Sequence, residues 1–271
     1  VHAWWNLIMK STGGGGPVFV WLFSTVSLVL LVPAAVVTVF VQPATITGLG
    51  IVFIVGTALI HLAYFLALQQ GYQKGDLSLV YPIARGLAPT LATVGAITLL
   101  GERPSPIVLV GVALVVVGVV LLALRQAGSG DAKSGVFYGV VTGLLISTYT
   151  VWDKYAVHEL SLLPIVLQAG TGIGISIALI PYSVKRLSTV KTIWTQHRSS
   201  VIAVAVLAPT SYILVLIAMS FTPLSYVAPA REISILFATI LGTKFLGEGD
   251  ATRRLLAAAC MVAGVIALAL G

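Results

Sequence analysis

Tyr81–Arg103 reads YPIARGLAPTLATVGAITLLGER, and Tyr226–Glu248 reads YVAPAREISILFATILGTKFLGE. Each is an apolar, helix-length run with an arginine inside it and Gly-Glu at its end. Setting Arg85 on Arg231 also sets Glu102 on Glu248, at an offset of 146 in both cases. Carried from Ala84 to Leu124, that offset gives 15 identities in 41 positions, including Ala92/Ala238, Thr93/Thr239, Gly101/Gly247 and Gly118/Gly264. A shared apolar composition produces Leu, Val and Ala matches. It does not place a charge at the same depth twice. The chain is two copies of one unit.

Composition identifies the solvent. Hydrophobic residues make up 58% of the chain and charged residues 8%, with a mean hydropathy of +1.07. Soluble domains carry about 25% charged residues, so the pattern is that of a polytopic membrane protein. The net charge of +7 sits mainly in loops between apolar runs, which excludes a phosphate-tracking nucleic-acid groove. Cys260, the single cysteine, lies in an apolar run, permits no disulfide within the chain and reads as a small core residue. No cleavable signal peptide is read at the N-terminus.

A spanning helix takes roughly 20 apolar residues. Nine such runs appear, at about 17–41, 49–71, 79–100, 105–125, 135–157, 162–184, 199–221, 224–246 and 251–270. Before them stands VHAWWNLIMK, half a span, and Trp152-Asp153 follows Trp5-Asn6 by 147 residues, towards the end of a full run. The expected fold is therefore all-α: ten transmembrane helices as two inverted five-helix repeats, the first helix truncated at its N-terminus. Residues 1–125 form the first repeat, 126–134 a polar linker and 135–271 the second repeat. Five spans per repeat is odd, so the second copy enters from the opposite side, as in secondary transporters. Gly13–Gly16 is a flexible turn without the Gly-Lys-Ser/Thr ending of a phosphate loop. Gly139/Gly143 and Gly170/Gly174 have the spacing that lets helices approach closely. Lys185–Ser200, with Lys185, Arg186, Lys191, Arg198 and Trp194, reads as an interfacial segment.

His-Ala-Trp-Trp-Asn-Leu in the first span, Tyr-Pro-Ile-Ala-Arg-Gly at 81–86 and Leu-Gly-Glu at 100–102 and 246–248 resemble EamA-type proteins of the drug/metabolite transporter superfamily. The likeness covers essentially the whole chain. It implies ten helices, an inner-membrane location and alternating access without ATP hydrolysis. It also implies a path lined by the first, third, fourth, sixth, eighth and ninth helices, with the fifth and tenth packing. Both termini would be cytoplasmic. The loop charges point the other way: eleven basic residues lie on one side and two on the other, which puts both ends outside. The orientation stays open between the two.

Candidate functional residues follow from polarity inside the spans. Arg85 and Arg231 each lie about 10 Å along their helices and need a partner or a wet cavity, since a buried arginine costs at least about 2.5–3.5 kcal/mol. They are read as flanking a central cavity, either contacting an anionic group of the substrate or anchoring the bundle. Glu232, about 100° round the helix from Arg231, is placed to neutralise a neighbouring helix. Asp153 is read either as an interfacial Asp-Lys pair with Lys154 or as a proton or cation coupling site, with Asn6 its counterpart. Tyr81 shares a face with Arg85, and His61 shares one with Tyr64. With Tyr149 and Tyr212 these polar groups must face inward, lining the path or joining helices. Pro82, Pro89 and Pro229 are candidate kinks for gating. Glu102 and Glu248 read as caps for the helices that follow them.

The expected function is secondary-active transport of a small polar or amphiphilic metabolite across the cytoplasmic membrane, with export favoured over uptake. The alternative is a flippase-like mover of a lipid-linked or drug-like substrate. An intramembrane enzyme is the distant third: there is no His-Glu-x-x-His, no Gly-x-Ser-x-Gly and no cysteine cluster. No metal or cofactor is expected. The expected partners are the lipid bilayer, the substrate and a coupling proton or cation, with a homodimer left open.

Overall fold

The computed structural model describes Trp5, Ile8 and residues 16–42, 46–74, 77–123, 132–233 and 251–270. Among these residues the chain is helical, with no strand. The helices are α1 (Gly16–Val41), α2 (Gly48–Lys74), α3 (Leu77–Leu99), α4 (Pro106–Ala123), α5 (Ala132–His158), α6 (Pro164–Val184), α7 (Leu187–Phe221), α8 (Leu224–Ala230) and α9 (Ala251–Leu270). Five of them (α1, α2, α5, α6 and α7) are long and apolar enough to cross a membrane, and shorter apolar helices lie within α3, α4 and α9. The run expected at 224–246 is described only to residue 233, and the N-terminal half-span lies outside the described residues apart from Trp5 and Ile8.

Local chemistry sets the ends. Pro106 and Pro164 open α4 and α6, where a missing N–H removes no helical bond. Gly101, at φ +69°, turns the chain out of α3, and the Glu102 N–H reaches back to the Ala96 carbonyl. Ser161 repeats this stop after α5 at φ 50°, with Leu162 N–H on the Ala156 carbonyl. The segment expected to be interfacial is helical and joins the span that follows it across a kink. α7 is 35 residues long, with a non-helical break at His197 (φ −129°, ψ 22°). At 1.5 Å per residue it would measure about 50 Å, well beyond a hydrocarbon core of about 30 Å. The break lies within the basic, exposed stretch, between Lys191 and Arg198, and the apolar run begins at Val201.

The chain divides into two compact units, and each draws on both halves of the chain. One comprises residues 1–62 and 152–220, the other 63–151 and 221–271. In the first, α6 receives α2: a Cβ on Gly170 would collide with Ile54, and one on Gly174 would lie 2.5 Å from Ala58. α1 also packs on α6, where Thr25 Oγ1 donates to Ser176 Oγ at 3.3 Å. In the second, Gly139 and Gly143 of α5 admit Ile83 and Leu87 of α3. Both glycine spacings therefore mark close helix approaches. Lipid tails are as apolar as leucine, so such approaches, rather than escape from water, hold the helices together.

The closest packing in the second unit is reciprocal. A Cβ on Gly118 of α4 would meet Met261 of α9 and lie 2.9 Å from the Ala257 carbonyl. One on Gly264 of α9 would lie 2.8 Å from Val115 and 2.8 Å from the Gly111 carbonyl of α4. At the repeat offset of 146, Gly118 corresponds to Gly264, Val115 to Met261 and Gly111 to Ala257. Each contact is thus the counterpart of the other, and positions rise along α4 as they fall along α9. The two helices run antiparallel. Gly118→Ala and Gly264→Ala are each expected to lower stability by about 1–3 kcal/mol, and by similar amounts, in thermal unfolding in detergent. Tolerance at one site alone would contradict the reciprocal interface.

Candidate functional site

Within the first unit, polar side chains of α2, α5 and α7 meet around a carboxylate. Asp153 is fully buried. Its Oδ1 accepts the Thr57 hydroxyl at 2.5 Å and its Oδ2 accepts the Tyr212 hydroxyl at 2.5 Å. One turn on from Thr57, His61 Nδ1 lies 3.0 Å from the Thr57 carbonyl oxygen. A carbonyl only accepts, so Nδ1 carries the proton in this contact. The His61 ring also stands edge-on to Tyr212, with centroids 5.4 Å apart. Lys154, the neighbour of Asp153 in sequence, is itself buried and donates from Nζ to the Met219 carbonyl at 2.8 Å. The reading of Asp153 and Lys154 as a solvated boundary pair is therefore corrected: both are buried, and each is bonded to α7 rather than to the other. Trp152 forms part of the wall, stacked on Phe53 at 4.2 Å and donating from Nε1 to the Phe53 carbonyl.

Within the second unit the arginines find different partners. Arg85 Nη1 and Glu232 Oε1 form an ion pair at 3.4 Å, both side chains largely buried. Glu232, placed by the sequence where it could neutralise a neighbouring helix, neutralises the one carrying Arg85. Its other oxygen, Oε2, is buried and has no hydrogen-bond partner among the described residues. Arg231 directs Nη1 to Thr150 Oγ1 at 3.4 Å and Nη2 to the Tyr149 hydroxyl at 3.5 Å, and Tyr149 stands edge-on to Tyr64 at 5.9 Å. His61 and Tyr64 share a helix face, but His61 belongs to the aspartate cluster and Tyr64 to the arginine cluster.

Glu102 does not cap the helix that follows it. Ser105 does that, through Val108 N–H to Ser105 Oγ at 3.4 Å. Glu102 instead accepts Leu224 N–H at 2.6 Å, Ser225 N–H at 3.0 Å and the Ser225 hydroxyl at 2.7 Å, tying the end of α3 to the start of α8. Of the candidate gating prolines, Pro89 is buried in α3, which runs unbroken through it. Pro229 is the penultimate residue of α8, which ends in a turn at Arg231 and Glu232. The side chains of Tyr81 and Pro82, and all of Asn6 and Glu248, lie outside the described residues. Sequence reasoning missed Thr57 and Thr150. The signal for Thr57 was its place one turn before His61.

A scan against known families matches residues 133–270 to the EamA-like transporter family. The chain belongs to that family. It is thus a multi-pass membrane transporter of the drug/metabolite type, and the buried charges lie in an EamA-like transporter's helices. A solved crystal structure of a protein aligns with 98% of this chain and 91% of its own, with a TM-score of 0.73 and 17% identity, and so shares the fold. A search of curated proteins finds no match.

Glu102 holds two backbone amides and a hydroxyl, and hydrogen bonds to a charged group are worth about 1.5–3 kcal/mol each. Glu102→Ala is expected to lower stability in detergent by about 2–4 kcal/mol, and Ser225→Ala, which removes one donor, by about 1 kcal/mol. Equal losses would show that the amide contacts contribute nothing.

Proposed function

We propose that this EamA-like chain is a secondary-active transporter of ten spans in two inverted five-helix repeats. It would work by alternating access and move a small polar or amphiphilic metabolite across the cytoplasmic membrane, with export the principal direction. The antiparallel, reciprocal packing of α4 on α9 supports the inversion. The observation that carries the mechanism is the burial of Asp153 between two hydroxyl donors. A hydroxyl can turn from donor to acceptor when the carboxyl takes a proton, so the site tolerates both states without moving a helix. Intramembrane carboxylates of this kind serve proton and cation relays. Asp153 is the coupling residue in this reading, with His61 and Tyr212 beside it.

The two arginines have different roles. Arg85 is committed to Glu232, so its part is structural. Arg231, held beside the Tyr149 and Thr150 hydroxyls inside the bundle, is assigned the contact with an anionic group of the substrate, the usual service of an intramembrane arginine.

The test uses proteoliposomes loaded with a uniformly 13C-labelled small-molecule cell extract, with release followed by mass spectrometry. Wild-type protein is expected to release a defined subset of the extract. Arg231→Ala should cut that release at least about tenfold, a loss of about 1.4 kcal/mol or more. Asp153→Asn should keep exchange of that subset at equilibrium while losing accumulation against an imposed proton or sodium gradient. Undiminished accumulation in Asp153→Asn would remove Asp153 from coupling, and undiminished release in Arg231→Ala would remove Arg231 from the path.

A further inference from the structure

From Leu160 to Ala230 the chain carries Lys185, Arg186, Lys191 and Arg198 and no Asp or Glu. All four basic residues are exposed, and among the described residues none is paired with a carboxylate. Lys185 and Arg186 form the turn between α6 and α7. Arg186 is held there, its Cζ 3.7 Å from the centroid of the Tyr182 ring and its Nη1 donating to the Tyr182 carbonyl at 3.3 Å.

The first part of α7 is not needed to cross a membrane. Its apolar run from Val201 to Phe221 reaches about 32 Å at 1.5 Å per residue, which by itself matches a hydrocarbon core of about 30 Å. Leu187–Gln196, ahead of the break at His197, is left at the edge of that layer. Its pattern is amphipathic. At about 100° per residue, Leu187, Val190, Ile193 and Trp194 fall within an arc of about 120°, and serines, threonines and Gln196 fill the opposite side. Val190 and Ile193 are half-buried, whereas Leu187 and Trp194 are 62% and 40% exposed. Lys191 stands at the rim of this arc, about 40° round the helix from Leu187.

We propose that the turn after α6 and the start of α7 form a docking surface for anionic phospholipid headgroups. The unbalanced positive charge is complementary to the lipid phosphates, and guanidinium and ammonium groups both bind them. Leu187 and Trp194 suit the same partner, since an exposed leucine beside an indole settles at the boundary between headgroups and acyl chains. A free phosphate ion needs its donors to converge on one point. Here they are strung along roughly 20 Å of chain, which suits a row of headgroups. The docked segment fixes the depth of α7, the helix that brings Tyr212 to Asp153.

The experiment reads lipid binding, so its outcome is independent of the transport reading. The full chain in neutral detergent is given equimolar phosphatidylglycerol and phosphatidylcholine of identical acyl chains, and the lipid it retains is identified by native mass spectrometry. Wild type is expected to favour phosphatidylglycerol at least about tenfold, since each basic residue at an anionic surface is worth about fivefold. Lys185→Gln, Arg186→Gln, Lys191→Gln and Arg198→Gln combined are expected to bring the preference to within about twofold of none. Arg103→Gln, which removes an exposed charge elsewhere, should leave it unchanged. Should the fourfold variant fail to insert, the pairs Lys185→Gln/Arg186→Gln and Lys191→Gln/Arg198→Gln decide, each expected to lose about threefold or more of the preference. A preference that survives these changes, or that Arg103→Gln lowers as much, would overturn the docking surface and leave the four residues a role in topology alone. Displacement of the lipid by inorganic phosphate would overturn it in favour of a site for the free ion.

Discussion

A polar group in hydrocarbon has no water to fall back on. In this chain that constraint does more to define the structure than hydrophobic burial does, because lipid offers apolar side chains as good an environment as the protein interior. Each buried charge described here is therefore met by a named partner: Arg85 by Glu232, Asp153 by Thr57 and Tyr212, Lys154 by the Met219 carbonyl. These bonds fix which helices are neighbours and in what register. The apolar surface alone would allow many sliding arrangements. The charges are few, and each one specifies a contact.

Glycine supplies the other half of the packing. Where attraction between helices comes from dispersion, contact distance sets its strength, and a side chain's width is enough to forfeit it. Gly111, Gly118 and Gly264 bring α4 and α9 together backbone to backbone. The valines around them (Val108, Val112, Val115 and Val119) are held in few rotamers and fill the space on either side with Met261 and Leu268. This interface makes α4 and α9 suited to static packing. The polar clusters on α2, α3, α5 and α7 and at the α8 terminus sit in helices that carry hydroxyls, aromatics and prolines.

Much of this was legible in the sequence, for identifiable reasons. The duplication shows because Arg85/Arg231 and Glu102/Glu248 are charges at matched depth, which apolar drift does not produce. The Arg85–Glu232 pair was half legible: residues adjacent on a helix point about 100° apart, so Glu232 was placed where it could serve a helix other than that of Arg231. The enclosure of Asp153 was not legible. Counting places it near the end of a span, and it does lie five residues before the end of α5, but Thr57 of α2 and Tyr212 of α7 close over it there, and only the tertiary fold brings those helices to it. The target of Glu102 was equally hidden. A cap on the next helix is a local inference, whereas α8 starts more than a hundred residues away, and only the tertiary fold brings Leu224 to it. The two compact units were hidden for the same reason, since each is assembled from both halves of the chain and no composition change marks their boundary.

The account depends on the two repeats being inverted, and that is directly measurable. In a Cys260→Ser background, Arg103→Cys marks the turn after α3, and Gly249→Cys, 146 residues on, marks its counterpart. Each is treated on intact cells with a membrane-impermeant thiol reagent, and again after permeabilisation. Inversion predicts that one of the two reacts from outside and the other only once the membrane is opened. Labelling of both from the same side would contradict it.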